Sequence, residues 1–574
     1  MRAALVLSCM ILFSCSKQST ESPLTQLLNR NAEYNEQKNP SEDSVYNRLP
    51  SMAPEVFEDR YNFNQELLSD LGAIDRSALS PSDQISYDLF KFIKENEARE
   101  YEFKTHLNPL LVDYGFHIGF VFTAQSYQFD SKDSYQHYMD LLMDFPRYVN
   151  ENIALLKKGL ELEISQSQII FDGYEITYDN HIVDDPTTSL FYQPFVNLPD
   201  SFTDEEKENL RKKAVDAVTD GAVKGYQLFS EFMTNEYIPK TRTNIGASNL
   251  PDGDLYYEYL IKKFTTLNLK PDSVHNLGLS EVARIKGEML EIINKTGFEG
   301  SFSDFLQFLR TDERFYAKTP GELLREASYI SKKMDGVLPK LFGRLPRQPY
   351  TVNPVPDHLA PKYTGGRYVG ADISSTNPGQ YWVNTYALEN RPLYVLEALS
   401  FHEAVPGHHL QGSLTQELDL PDFRKNLYLS AFGEGWGLYS EFLGKEAGFY
   451  ADPYSDFGRL TYEMWRACRL VVDTGIHSFG WTREEAMEYM AANTALSLHE
   501  VRTEVDRYIS WPGQALSYKI GELKIKALRK KAESTLGDDF DVREFHDLVL
   551  SEGTVTLPIL EEMVNRYLEE INIE

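Results

Sequence analysis

The sequence predicts a mainly α-helical protein with a small β-sheet placed just before a histidine-bearing helix. Two observations carry this. Helix-start signatures recur ahead of long stretches with helix-like apolar spacing, and strand-type residues are confined to one region, 349–385. No repeat of fixed period interrupts the pattern.

The helix starts follow one logic. Thr203 stands ahead of DEEKENLRKKAVDAV with Glu206 three residues on, the Ser/Thr-x-x-Glu pattern in which side chains and backbone amides cap each other. Thr319 repeats it with Pro320 at the first helical position and Glu322 behind, and Thr482 repeats it with Glu485. The strand region, PYTVNPVPDHLAPKYTGGRYVGADISSTNPGQYWVNT, is rich in Pro, Gly, Tyr, Val and Thr, as short strands and turns require.

The first residues, MRAALVLSCMILFSCSKQ, place Arg2 before an apolar run from Ala3 to Phe13. That run falls short of the ~20 residues needed to span a bilayer and fits an export signal. Leu12-Phe13-Ser14-Cys15 resembles a bacterial lipobox, so Cys15 is expected to be lipidated and to become the mature N-terminus, facing the periplasm or the cell exterior. Cys9 would leave with the signal over 1–15, and only Cys468 would remain beside Cys15, so no internal disulfide supports the fold. Polar residues 16–45 are expected to form a tether with little structure. A helical region over 46–240 and a catalytic region over 241–574 are expected to follow, divided near the loop-like EYIPKTRTNIGASNLPDG. A formal net charge of −30 disfavours nucleic acid and anionic lipid as partners. Membrane attachment is therefore expected only through the lipid.

The chemistry concentrates in FHEAVPGHHLQ, residues 401–411. His402-Glu403 opens the zinc signature H-E-x-x-H, but Pro406 stands where the second histidine belongs. In that signature the two histidines lie ~6 Å apart along the helix and ~40° apart in direction, so both rings reach one ion. The Glu beside the first histidine then serves as general base on the attacking water. Here His408 would be turned by ~240° from His402, and His409 would lie ~10 Å further along the axis. A regular helix forbids the site. Pro406 cannot supply an N–H to the carbonyl of His402, and Gly407 permits unusual dihedrals, so a bulge is expected between them. A two-residue bulge would deliver His408 as ligand and a three-residue bulge His409. His408 is the preferred reading, with His409 in a supporting or substrate-contacting place.

Glu434 lies 26 positions beyond His408 in SAFGEGWGLYSEFLGKEAG and is the natural third ligand. Gly433, Gly435 and Gly437 around it imply close packing, and Glu441, on nearly the same helical face, could orient a ligand histidine. Further on, EVDRYISWPGQALSYKIGELK offers Tyr518 and Tyr508 as oxyanion donors and Arg507 as a fork for a substrate carboxylate.

Taken together, FHEAVPGHHLQ, GEGWGLYSE and EVDRYISWPGQALSYKIG, with SNLPDGDLYYEYLIKKFTTLNLKPDSVHNLGLSEVARI and NPGQYWVNTY upstream, resemble the bacterial family known as domain of unknown function 885, from about residue 45 to the end. That family is thought to be related to the H-E-x-x-H metallopeptidases of the all-helical, deep-cleft kind, such as thimet oligopeptidase, angiotensin-converting enzyme and carboxypeptidase Taq. The resemblance implies a large two-lobed helical fold with a deep cleft. It implies Zn2+ held by His402, His408 and Glu434, Glu403 as general base, and a peptide as substrate. It puts Tyr518, in a Tyr-x-x-Gly setting with Gly521, ahead of Tyr508. It makes QYWVNT the edge strand along which a peptide lies, with Tyr381 and Asn384 facing the cleft. A peptide-binding lipoprotein that does not cut, and a zinc hydrolase of non-peptide amides, are the alternatives.

Overall fold

The computed structural model describes residues 21–38, 48–129, 131–357, 359–360 and 363–571. Cys15 and the rest of the expected export signal lie outside the described residues. The chain is mainly helical, and none of its described helices is long and apolar enough to cross a membrane.

The helix-start signatures act as read. Thr203 and Thr482 each accept a hydrogen bond from the backbone of the glutamate three residues on while that glutamate bonds back, opening the helices Asp204–Ala217 and Arg483–Asn493. Thr319 caps Pro320–Asp335 through the backbone N–H of Glu322, whose carboxylate accepts from the backbone of Lys318. The tether expectation is corrected over Pro23–Lys38, which is helical. Leu24 and Leu27 are buried there with Leu67, Leu71 and Phe90 of the helices Pro54–Gly72 and Pro81–Glu102. A polar average concealed two leucines spaced three apart on one helical face.

The sheet has three strands in the order β1-β3-β2: β1 Tyr350–Pro354, β2 Gly366–Val369 and β3 Gly379–Val383. β1 runs parallel to β3, with Val352 opposite Tyr381. β2 runs antiparallel to β3, with Tyr368 also opposite Tyr381. The QYWVNT stretch therefore holds the central strand, correcting its assignment as an edge. β1 and β2 are the edges.

One buried apolar core gathers side chains from Leu49 to Leu568, so both sides of position 240 contribute to it. Two helix pairs dominate the C-terminal part. Pro271–Thr296 packs along Pro453–Ser478, and Ser430–Glu446 packs along Ser517–Leu536. The second pair touches backbone to backbone, since a Cβ on Gly435 would lie 2.6 Å from the main chain of Gly521. Fully buried Lys519 ties the pairs together, bonding Glu463 at 2.8 Å, Glu522 at 2.6 Å and Glu281 at 3.1 Å. These buried carboxylates make Lys519 a fixed point, because removing the cation would leave them uncompensated.

Candidate metal centre

The histidine helix Leu396–Glu403 does not bulge; it stops. Residues 404–407 turn, and a new helix starts at His408 and runs to Glu417. Val405–Pro406 is a cis peptide within this turn. The turn folds so tightly that a Cβ on Gly407 would lie 1.9 Å from the carbonyl oxygen of His402 and 2.4 Å from that of Phe401. Only glycine fits there. Trp436 Nε1 donates to the Pro406 carbonyl at 2.9 Å and fixes the turn against the glycine-rich helix Ser430–Glu446.

This break brings His408 beside His402, with ring centroids 4.8 Å apart and planes at 85°. Glu434 Oε2 lies 3.3 Å from His402 Nε2 and 3.6 Å from His408 Nε2. One ligand atom from each of His402, His408 and Glu434 lies within 4.8 Å of the others.

The glycine-rich helix explains how His402 is aimed. Glu434 and Glu441 lie seven residues apart, two turns on one face, with Gly437 between them. A Cβ on Gly437 would sit 2.6 Å from Cε1 and 2.7 Å from Nε2 of His402, so the ring occupies the space that a side chain would fill. Across that gap His402 Nδ1 donates to Glu441 Oε1 at 2.8 Å while Nε2 faces Glu434. His402 and Glu441 are 3% and 1% exposed. Arg466 Nη2 stands 3.5 Å from Glu441 Oε1 and compensates its charge. Burial opposes charge on His402, but Glu434 and Glu441 outweigh it and raise the imidazole to about 9. Burial likewise works against ionised Glu434, and His402 and His408 overcome it, holding the carboxyl well below the usual range.

Glu403 is held from the sheet side. The backbone N–H of Tyr368, on the outer edge of β2, donates to Glu403 Oε2 at 2.7 Å. Among the described residues Glu403 Oε1 accepts no hydrogen bond. Arg367, next on the same strand, lies within electrostatic reach of both Glu403 and Glu434.

Other candidate residues fall elsewhere. His409 is buried against Tyr350 and Tyr368, its Nδ1 3.2 Å from the Tyr368 hydroxyl and from Ser413 Oγ, and burial lowers it to about 4. It stands apart from the His402, His408 and Glu434 group and supports the strand that holds Glu403; its burial removes it as a substrate contact. Tyr381 is fully buried with its hydroxyl 3.3 Å from Ser400 Oγ. Asn384, also fully buried, donates to the carbonyls of Ala360, Tyr363 and Thr364 at 2.9–3.0 Å. The role of Tyr381 in facing a cleft is corrected, since its side chain points from the central strand into the core; Asn384, one residue past β3, spends its amide on the loop carbonyls and borders a cavity away from the histidine group. The Tyr508 hydroxyl donates to Glu504 Oε2 at 2.7 Å and accepts from Arg469 Nε at 2.9 Å and Trp465 Nε1 at 3.0 Å. It has no capacity left for an oxyanion. Arg507 is spent on Glu504 at 3.1 Å and Gln514 at 2.5 Å, which corrects its role as a free carboxylate fork. Tyr518 is half-buried, with the Arg469 guanidinium 4.3 Å from its ring centroid, and its hydroxyl makes no hydrogen bond among the described residues.

Sequence reasoning missed Tyr428, whose hydroxyl donates to Glu434 Oε1 at 2.6 Å while 56% of the residue stays exposed. Its ring lies where a Cβ on Gly433 would be, 2.5 Å from Tyr428 Cε2. The one available signal was the bare Gly433 beside Glu434, which needed a partner ring.

Compared with known proteins, the chain matches the profile of the bacterial proteins of unknown function grouped as domain of unknown function 885 over residues 36–564. It belongs to that family. No curated protein matches. A crystal structure from Colwellia psychrerythraea, of a protein described provisionally as a lipoprotein, is similar at 28% identity with a TM-score of 0.86, covering 96% of this chain and 100% of its own. A protein of unknown function from Shewanella oneidensis, also described provisionally as a lipoprotein, shares the fold at 17% identity with a TM-score of 0.75, covering 95% of this chain and 100% of its own.

The turn geometry makes a direct test. Gly407→Ala should cost about 1–3 kcal/mol by overpacking against backbone. Gly287→Ala, at an exposed helical position with no atom within 4 Å of the added Cβ, should leave stability equal to the parent or raised by up to ~1 kcal/mol. Denaturation of both variants checks this; a Gly407→Ala protein as stable as Gly287→Ala would show that the turn does not depend on the missing side chain.

Proposed function

We propose that the protein is a zinc-dependent peptidase of the bacterial envelope, anchored by a lipid on Cys15. The carrying observation is the junction of a two-imidazole, one-carboxylate group with a separately held carboxylate, Glu403, whose second oxygen is unspent. The residues fit zinc. Two nitrogens and one carboxylate oxygen form the usual catalytic donor set, and Glu441 fixes His402 so that Nε2 is the nitrogen presented. His402, His408 and Glu434 would hold the ion. When bound, zinc supplies Lewis acidity that polarises a carbonyl and makes water acidic near neutral pH.

The side chains supply the rest. Glu403 takes a proton from the attacking water through Oε1 and returns it to the leaving amine, while the Tyr368 N–H keeps its other oxygen in place. β2 is the edge strand beside Glu403, so an extended peptide would pair along β2 rather than β3. Tyr518, under Arg469, is the phenol whose O–H is left for the developing oxyanion, since that of Tyr428 is spent on Glu434. The resemblance to the helical H-E-x-x-H metallopeptidases, in the shared His-Glu opening and the position of Glu434, supports this reading.

The second reading is a lipoprotein that binds peptides without cutting them. It is favoured by the pairing of Arg507 and Tyr508 inside the protein, which leaves fewer groups for substrate, and by similar structures described only as lipoproteins. The lipid anchor is common to both readings. It rests on Leu12-Phe13-Ser14-Cys15 and on those descriptions.

Glu403→Gln should keep stoichiometric zinc while peptide hydrolysis falls by ~10²–10⁴-fold. Hydrolysis at the parental rate would remove Glu403 from the mechanism. No hydrolysis by zinc-loaded parent protein across a peptide library would favour the binder.

Cys15→Ser should move the protein from the membrane fraction to the soluble envelope fraction. Continued membrane association would contradict the anchor.

A further inference from the structure

A cavity of about 280 Å³ opens beside the histidine helix, bordered by Leu396 and Leu399 of that helix and by Tyr394, Tyr462 and Leu496. None of the three grouped ligands lines it. Its walls are set in advance. Arg310 donates through Nε to the carbonyl of Leu496 at 2.9 Å and through Nη2 to that of Thr494 at 2.6 Å, fixing the loop that leads into the helix Leu498–Ser510. The Tyr316 hydroxyl donates to the carbonyls of Leu309 and Arg310, both at 3.1 Å.

Four charged side chains line this space: Arg310, spent on the carbonyls of Leu496 and Thr494, Glu389, which is exposed, and Arg391 and Glu500; the last two matter here. Among the described residues neither head group makes a hydrogen bond or an ion pair, and Arg391 Nε is sealed from solvent with no acceptor. Arg391 is the cation that acts most strongly on Glu500, so the two are neighbours that do not touch. Burial raises the Glu500 carboxyl to about 7, against the pull of Arg391. Charges lining a half-enclosed apolar cavity are normally paired, because leaving them unpaired costs desolvation with no return. A ligand with one charge of each sign, a short distance apart, would satisfy both.

We infer that this cavity binds a free α-amino acid with an apolar or aromatic side chain, its carboxylate on Arg391, its ammonium on Glu500 and its side chain among Leu396, Leu399 and Tyr394. The volume is just below the ~300 Å³ at which pockets for drug-sized ligands begin, which suits a single amino acid. The site does not rest on the zinc reading. It shares the histidine helix with the metal group, and the Tyr462 ring lies 4.6 Å from the guanidinium of Arg466, which pairs with Glu441. An amino acid seated here would therefore be linked to His402 through three side chains, Tyr462, Arg466 and Glu441.

Calorimetric titration of the full-length chain with L-phenylalanine tests this, with phenethylamine and 3-phenylpropionate as analogues lacking the carboxylate or the ammonium. L-phenylalanine should bind saturably, and each analogue at least tenfold more weakly. In Arg391→Met, L-phenylalanine should fall to the affinity of phenethylamine. In Glu500→Gln it should fall to that of 3-phenylpropionate. No saturable binding of L-phenylalanine at millimolar concentration, or equal binding of all three compounds by the parent protein, would overturn the assignment. The parent-protein comparison holds even where a variant fails to fold. Because these titrations need neither zinc nor turnover, their failure leaves the peptidase reading untouched, and loss of that reading leaves the titrations valid.

Discussion

The candidate site depends on one contact: the backbone of Gly407 pressed against the carbonyl of His402. A helix carrying the pattern H-E-x-x-x-x-H cannot bring its two imidazoles to one point while it stays a helix. Ending the helix at Glu403 and restarting it at His408 removes that geometric bar, and the reversal closes only because position 407 has no side chain. The Trp436–Pro406 hydrogen bond locks the reversal onto the same helix that carries Glu434 and Glu441. Turn and acid-bearing helix thus form one unit.

The second constraint is the spacing along that helix. Glu434, Gly437 and Glu441 share one face, so the imidazole of His402 lies across a glycine with a carboxylate at each nitrogen. One carboxylate sets the ring's orientation and the other joins the candidate metal group. Gly433 and Gly435 serve the same helix differently, admitting the Tyr428 ring and the backbone of Gly521. Close approach on three sides fixes this helix between the turn, the tyrosine and the C-terminal helix. Binding sites gain from such supports, since a ligand set held by its neighbours needs little reorganisation.

Much of this was legible in the sequence, for identifiable reasons. Capping threonines act within four residues, so Thr203, Thr319 and Thr482 could be read locally. Pro406-Gly407 announced a distortion and the three glycines announced close packing, since both depend on what a residue lacks. What failed was long-range. Strand order is set by pairing across the sheet, so the composition of QYWVNT could not show that β3 is central. Arg507 and Tyr508 look like substrate groups until Glu504, Gln514, Arg469 and Trp465 are seen to consume them. Tyr428 was hidden among 35 tyrosines because its contact with Glu434 depends on how the approach to the helix bends. The average polarity of residues 16–45 masked Leu24 and Leu27, and burial is decided by single side chains.

The measurement closest to the centre of this account is anomalous diffraction at the zinc absorption edge from crystals of the purified protein. The account predicts one strong peak within bonding distance of His402 Nε2, a nitrogen of His408 and a carboxylate oxygen of Glu434. Crystals of zinc-supplemented protein without a peak there, or with the ion held by other side chains, would contradict it.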